Sequence, residues 1–345
     1  KISLIVASSR LLQRQFVCHQ RRHLSSILVH SIESQECAKI AHELQTNGFG
    51  VTSNRVLSET AVDAINLKMP DLFRGEFETG VYPDEWHWRQ GLSRDDVTRE
   101  MCNTWKCDPL IASVVLSKTI GEMVSRITGW SSVRIAQDDL IWKPPGQPKT
   151  TIGFHQDGTY ISDQFVPQEN NSVTVWIALD NVTKDMGCVE YAVGSHLWQD
   201  KTVSLDDPAF HDSNAHTYRD SLPTQEHATT DGGVRLTELP KGHAIVHHQN
   251  VWHGSGPNRS LTKDRRALVG HYLRGDVEFQ DEHGGGDSAA PWGTVSYIYG
   301  KYKRYGSTEV DESFFPIVFA TKESGRQRTK WIDDYVRVVH NMHRV

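Results

Sequence analysis

Two short segments about a hundred residues apart carry side chains suited to one piece of chemistry. Gly153-Phe154-His155-Gln156-Asp157 offers an imidazole and a carboxylate two positions apart, and Val251-Trp252-His253-Gly254-Ser255-Gly256-Pro257-Asn258 offers a second imidazole. Residues i and i+2 of an extended strand project to one face, so His155 and Asp157 point together while Gln156 points away. Two imidazoles and one carboxylate form the donor set of a facial triad, which holds non-haem Fe(II) and leaves the opposite positions open to exchangeable ligands. His253 is the best third ligand: it follows Ala244-Ile245-Val246, which reads as a buried strand, and precedes a Gly-Ser-Gly-Pro-Asn turn. With 18 histidines in the chain, most must be ordinary. His247 and His248 are alternative ligands that lack that continuation, His243 and His271 read as lining a barrel, and His196 finishes a turn. For each of these a hydrogen-bonded structural role is the commoner outcome.

A wider pattern surrounds the two segments. Val133 to Pro145, the His-x-Asp, the run Val173 to Asp180, the turn Asp185-Met186-Gly187-Cys188 and Gly194-Ser195-His196 follow one another in an order that resembles the phytanoyl-CoA dioxygenase family of Fe(II)- and 2-oxoglutarate-dependent oxygenases. The resemblance runs from about Asn47-Gly48-Phe49-Gly50 to about Tyr272, with Lys143-Pro144-Pro145-Gly146 and His253 to Asn258 as the closest matches. It implies that His155, Asp157 and His253 ligate iron. Val193 stands where the family usually has proline, in a turn outside the ligand set.

The resemblance also implies Fe(II), 2-oxoglutarate as co-substrate and O2, with release of succinate and CO2. A dicarboxylate that chelates iron through its keto-acid end leaves its far carboxylate for a guanidinium, which binds it in bidentate fashion. Arg265 and Arg266 both stand at the start of the next strand, and neighbours on a strand face opposite ways. The family's inward arginine precedes the strand's aromatic residue by seven positions, which from Tyr272 selects Arg265. Ser255 is a hydroxyl partner for the same carboxylate, and Gln137 and Trp176 are further pocket candidates, although turn-forming or core roles suit these three equally. Halogenating relatives replace the carboxylate ligand by a small residue, so Asp157 favours hydroxylation of a C–H bond. A lipid, an amino-acid derivative and a small alkaloid-like metabolite all remain open as substrate. Two other classes stay in view: a catalytically silent metal-binding sensor or interaction module, and a cupin-type isomerase or hydrolase with another divalent metal, which has no need of Arg265.

The elements that must position these residues are short. Val133-Arg-Ile135, Val173 to Ile177, Cys188 to Ala192, Ala244-Ile-Val246 and Ala267 to Leu273 are β-branched or aromatic runs bounded by Gly, Pro, Asn or Asp turns. They predict a mainly β fold, a double-stranded β-helix or cupin-like jelly roll with flanking α-helices. Helices are expected over Glu36 to Leu44, after Ser58, and over one long stretch from Asp108 as N-cap and Pro109 to Gly129. Tyr82 to Trp105 reads as irregular, with Trp86, His87, Trp88 and Arg89 as a candidate substrate wall. Residues 33–345 form one catalytic domain with a core at about 131–275, an insertion at about 199–235 over the barrel mouth, and an extension at 276–345 with no assigned function.

Residues 1–32 hold five basic residues and no acidic one, the composition of a mitochondrial presequence, with a plastid or cytoplasmic location and a disordered basic extension as alternatives. A net charge of −6 gives no case for nucleic acid, no apolar run is long enough for a membrane span, and the partner expected is a small-molecule substrate. The five cysteines lack zinc-site spacing and demand no oxidising compartment.

Overall fold

A computed structural model describes residues 28–161, 164–198, 233–280 and 297–342. The predicted transit segment, apart from its last few residues, and nearly all of the predicted insertion lie outside them. Residues 28–32, read as the end of a basic extension, belong to the folded unit: Val29 and Ile32 are buried in the core, and His30 donates its amide to Val56 O.

The chain opens with α1 (Ser34–Asn47), which buries Cys37, Ile40 and Leu44 on one face. Gly48 ends it at φ 86, a left-handed conformation that suits glycine, and donates its amide to Leu44 O. β1 (Phe49–Val51) and α2 (Glu59–Phe73) follow, the latter capped by the Ser58 hydroxyl. Within the segment read as irregular, two short strands form, β2 (Glu85–Trp86) and β3 (Arg99–Cys102). The expected long helix is two, α3 (Pro109–Val115) and α4 (Lys118–Thr128). Asp108 caps the first as predicted, but Ser117 turns its hydroxyl to the amide of Thr119 and starts a second helix. Every residue of α3 is buried, whereas α4 has one buried face, so one straight helix would not satisfy both.

Then come β4 (Ser132–Lys143), β5 (Ile152–His155), β6 (Phe165–Val166), β7 (Ser172–Ala178), β8 (Val189–Ala192), β9 (Val234–Thr237), β10 (Ala244–His248), β11 (His253–Ser255), β12 (Arg265–Arg274) and β13 (Glu278–Phe279). A short turn of helix, α5 (Tyr297–Gly300), β14 (Ile317–Ala320) and α6 (Lys330–Met342) close the described chain. Among the described residues no helix is long and apolar enough to cross a membrane.

Two main antiparallel sheets result, as the double-stranded β-helix requires, and β6 and β13 pair as a separate two-stranded ribbon. The larger runs β1-β10-β7-β12-β4-β3-β2 with β14 also on β4, and the smaller runs β5-β11-β8-β9. Strand alternation gives the large sheet two faces. Val173, Val175 and Ile177 of β7, Val246 of β10 and Leu268 of β12 pack with the buried faces of α1 to α4. At roughly 1.5–3 kcal/mol for each fully buried aliphatic side chain, this packing, more than helix propensity, fixes the helices. The alternate residues Trp176, Ala178, Ile245, Ala267 and Val269 face Val189 and Tyr191 of the small sheet.

The sheet also exceeds the expected core of 131–275, since β1, β2, β3 and β14 all join it. The described residues of the 276–345 segment are an integral part of the fold: Tyr299, Val310 and Phe315 form a core with Phe165 and Phe279.

Candidate active site

β5 and β11 pair so that His155 stands opposite His253, with ring centroids 4.2 Å apart. Gln156 keeps an extended backbone, and its side chain leaves the site to donate to Asn250 O. Asp157 therefore emerges on the His155 side, although it starts a short 3-10 turn, Asp157–Thr159, instead of continuing the strand. Its Oδ1 lies 3.5 Å from Nε2 of both His155 and His253. All three side chains are buried, and their donor atoms lie within 4.8 Å of one another.

Each metal-facing imidazole is oriented by backbone. His155 Nδ1 lies 2.8 Å from Gly153 O and His253 Nδ1 3.1 Å from Val251 O. A carbonyl only accepts, so Nδ1 carries the proton and Nε2 presents its lone pair. Burial, and then the neighbouring His155, push His253 well below the usual imidazole range, which keeps it in the ligating neutral form.

The carboxylate is held by three neighbouring side chains. Tyr160 OH donates to Asp157 Oδ1 at 2.7 Å, while Thr174 Oγ1 donates to Oδ2, which also lies 3.0 Å from His247 Nε2. Against the raising effect of burial, His253 and then the hydrogen bonds of His155 and His247 hold Asp157 well below the ordinary carboxylate range. Because Thr174 spends its single proton on Asp157, its 2.8 Å contact with His271 Nδ1 is donated by the imidazole. His271 Nε2 faces Asp139 Oδ2 at 2.8 Å, so both ring nitrogens carry protons. Although burial lowers it, the Asp139 hydrogen bond leaves His271 with a raised pKa. His247 and His271, read from sequence as an alternative ligand and a barrel-lining residue, thus support the carboxylate instead of binding metal. The strand period gives only their facing, since His247 shares the inner face of Ile245 and His271 that of Val269; it does not give the carboxylate they support.

A cavity of about 280 Å³ opens beside the triad, lined by Trp176, Ser255 and Arg265 among others. Arg265 is fully buried with its guanidinium carbon 4.8 Å from the Trp176 ring centroid, and its Nε and Nη1 have no hydrogen-bond partner among the described residues. Arg266 points the other way and forms a bidentate pair with Asp180, at 3.0 and 2.7 Å. Gln137 does not line the cavity. It donates to Asp139 Oδ1 at 2.8 Å and accepts from Tyr299 OH at 3.1 Å, and Asp139, two residues further along the same strand, lines the wall. Lys143, opposite Arg265 in the ladder, is legible in the sequence only as part of a motif. Its buried ammonium donates to Ser255 Oγ at 2.6 Å and Gly256 O at 2.8 Å, and burial, then Arg265, push its pKa far down. Of the substrate wall expected over Trp86 to Arg89, only His87 lines the cavity.

Comparison with known proteins places this geometry in context. The family model described as phytanoyl-CoA dioxygenase (PhyH) matches residues 44–267. A probable alpha-ketoglutarate-dependent hypophosphite dioxygenase of Stutzerimonas stutzeri is 28% identical over 166 residues, which are 47% of this chain and 52% of that protein. The chain thus spans about half the length of that curated relative. Among solved structures, the non-heme alpha ketoglutarate dependent carbocyclase SnoK from nogalamycin biosynthesis superposes with a TM-score of 0.60 at 19% identity, covering 85% of this chain and 100% of its own. EctD from S. alaskensis, solved with 2-oxoglutarate and 5-hydroxyectoine, gives 0.56 at 17% identity, covering 83% and 92%. At these identities the structures establish a shared fold.

Proposed function

The chain belongs to the phytanoyl-CoA dioxygenase family, and from that premise we propose that it is an Fe(II)- and 2-oxoglutarate-dependent oxygenase that hydroxylates a C–H bond of a small organic substrate, with release of succinate and CO2. One observation carries this beyond the family: a fully buried guanidinium with unpartnered nitrogens lies in the same cavity as a His/Asp/His donor set. An unpaired buried charge costs several kcal/mol, and an anion that enters the cavity offsets that cost.

The residues divide the work. His155, Asp157 and His253 would hold Fe(II), which when bound supplies the oxidation chemistry of the site. Arg265 would take the far carboxylate of 2-oxoglutarate, with the Ser255 hydroxyl beside it, fixed by Lys143. Trp176 packs against the guanidinium and shields it from water. Tyr160, Thr174 and His247 hold the Asp157 carboxylate in one orientation.

The test is succinate release from 2-oxoglutarate with Fe(II) and ascorbate over a broad substrate panel. Release that falls at least tenfold in Arg265→Met supports the reading. No release and no substrate conversion, with Fe(II) bound, would leave a silent metal-binding module, and substrate conversion without succinate that is indifferent to Arg265→Met would point to an isomerase or hydrolase.

A further inference from the structure

The part of the cavity wall built by β3 and β4 carries charge opposite to that of Arg265. Glu100 of β3 and Asp139 of β4 both line it, and their carboxylates, with the Cys102 thiol, offer donor atoms that lie within 4.8 Å of one another. The ladder explains the placement. β3 pairs with β4 so that Cys102 stands opposite Asp139 and Glu100 opposite Ile141, and the alternation that turns Cys102 inward turns Glu100 inward too.

The two acids differ in what they already hold. Asp139 accepts from Gln137 and from the His271 imidazolium. The Glu100 carboxyl has no hydrogen bond or ion pair with any described side chain. Burial first, and the Asp139 charge second, push its pKa upward, against a smaller lowering effect of His87. The cations nearby are engaged elsewhere: Lys149 lies 3.5 Å from Asp96, and His87 Nε2 lies 2.6 Å from Glu85 Oε2. Arg99 is stacked between Trp88 and Trp142, at 4.1 and 4.3 Å from their ring centroids, and does not line the cavity. Thr98 and Thr151 on the same wall have buried hydroxyls without a partner among the described residues.

We propose that the substrate carries a cationic nitrogen, an ammonium or guanidinium, that Glu100 and Asp139 bind at this wall so that an adjacent C–H bond faces the His155, Asp157 and His253 centre. The inference rests on the oxygenase reading for the reaction, but not for the binding. Two carboxylate oxygens no more than 4.8 Å apart can both lie about 2.8 Å from one nitrogen. Asp139 retains lone pairs beyond the two it uses, since an ionised carboxylate offers about four acceptor sites. An anionic or purely apolar substrate would leave Glu100 without a partner. The cavity thus carries an anion-binding group at Arg265 and a cation-binding one at Glu100, and the donor triad lines the same cavity.

The test measures binding to the full chain. Butylammonium and butylguanidinium are titrated beside butanol and butyrate, their neutral and anionic counterparts, with and without Fe(II) and 2-oxoglutarate. Both cations should bind saturably and at least tenfold more tightly than butanol or butyrate. The isosteric Glu100→Gln should weaken cation binding roughly 10- to 100-fold, and Glu100→Asp should retain most of it. Butanol or butyrate binding as well as the cations, or cation affinity unchanged in a folded Glu100→Gln, would overturn the proposal. So would a second equivalent of divalent metal that is lost in Glu100→Gln, because the wall would then be a metal site. 2-Oxoglutarate affinity, measured in parallel, separates the readings: 2-oxoglutarate bound without cation selectivity sinks this inference alone, and no 2-oxoglutarate binding sinks the oxygenase reading while the metal-free cation titration still reports on Glu100.

Discussion

At the scale of single residues, the site is built from protons committed in one direction. Thr174 gives its proton to Asp157 and receives one from His271, which gives its other to Asp139. Thr174→Val removes both contacts without changing size, and Fe(II) affinity should fall about 10- to 100-fold, as for other groups that orient a metal ligand. A metal titration of the folded variant checks it, and an unchanged affinity would show that Tyr160 and His247 suffice. Arg265 makes the opposite kind of prediction. Replacing its unpartnered buried guanidinium by methionine should leave the ligand-free chain as stable or about 1–4 kcal/mol more so, while abolishing the rise in Tm with 2-oxoglutarate. Thermal melts with and without 2-oxoglutarate read both, and a strongly destabilised variant would show that Arg265 serves the fold. The donor set was legible because ligand type and i/i+2 spacing are written along the chain; strand alternation allowed only one of Arg265 and Arg266 to face inward, and the family resemblance, through its spacing to Tyr272, selected Arg265. Lys143, His247 and His271 were not, because each acts through a neighbour on another strand, and a strand's partner is a property of the sheet.

At the scale of elements, the pairing of β5 with β11 decides whether the imidazoles meet. Gly254 lies between His253 and Ser255, and a Cβ there would stand 2.9 Å from Ile152 O and 3.1 Å from Gly153 C. Those contacts are backbone, so the strands themselves must separate. Gly254→Ala should cost about 1–3 kcal/mol in stability. The displacement acts directly on the His155 to His253 distance, so Fe(II) affinity should fall more steeply than stability does. Urea unfolding and metal titration on the same sample test this, and a loss confined to stability would show that the site absorbs the shift. The helix break at Ser117 and the strands β2 and β3 were harder to read. Apolar spacing continues across Leu116 and Ser117, and only the changing burial of α3 and α4 separates them. In β3 the inward residues include Glu100 and the outward Arg99 stacks on tryptophans, so the usual apolar alternation is absent from a strand that builds part of the active-site wall.

At the scale of the whole molecule, the segment after residue 276 matters because it reaches the metal centre through hydrogen bonds. Tyr299 OH donates to Gln137 Oε1, and Gln137 Nε2 to Asp139 Oδ1; beyond Asp139 lie His271, Thr174 and Asp157. Arg134 of β4 anchors the same segment, since its guanidinium donates to the carbonyls of Gly275, Val310 and Phe315. Sequence could not join these parts, because 162 positions separate Tyr299 from Gln137 and their meeting depends on how the segment closes over the sheet. Tyr299→Phe removes the donor to Gln137 Oε1 and leaves that buried amide oxygen without its partner. The Gln137 amide, still drawn by its Nε2 to the Asp139 carboxylate, is then held at one end only, which loosens Asp139 and with it the His271 bridge to Thr174. Stability should fall by about 1 kcal/mol, the usual worth of one hydrogen bond, while Fe(II) affinity falls several-fold at a site reached only through this chain of contacts. Arg134→Met disturbs the anchor without touching the relay, so it should lower stability by more and metal affinity by less. Equal effects of the two variants on metal binding would mean that the C-terminal segment supports the site by packing alone.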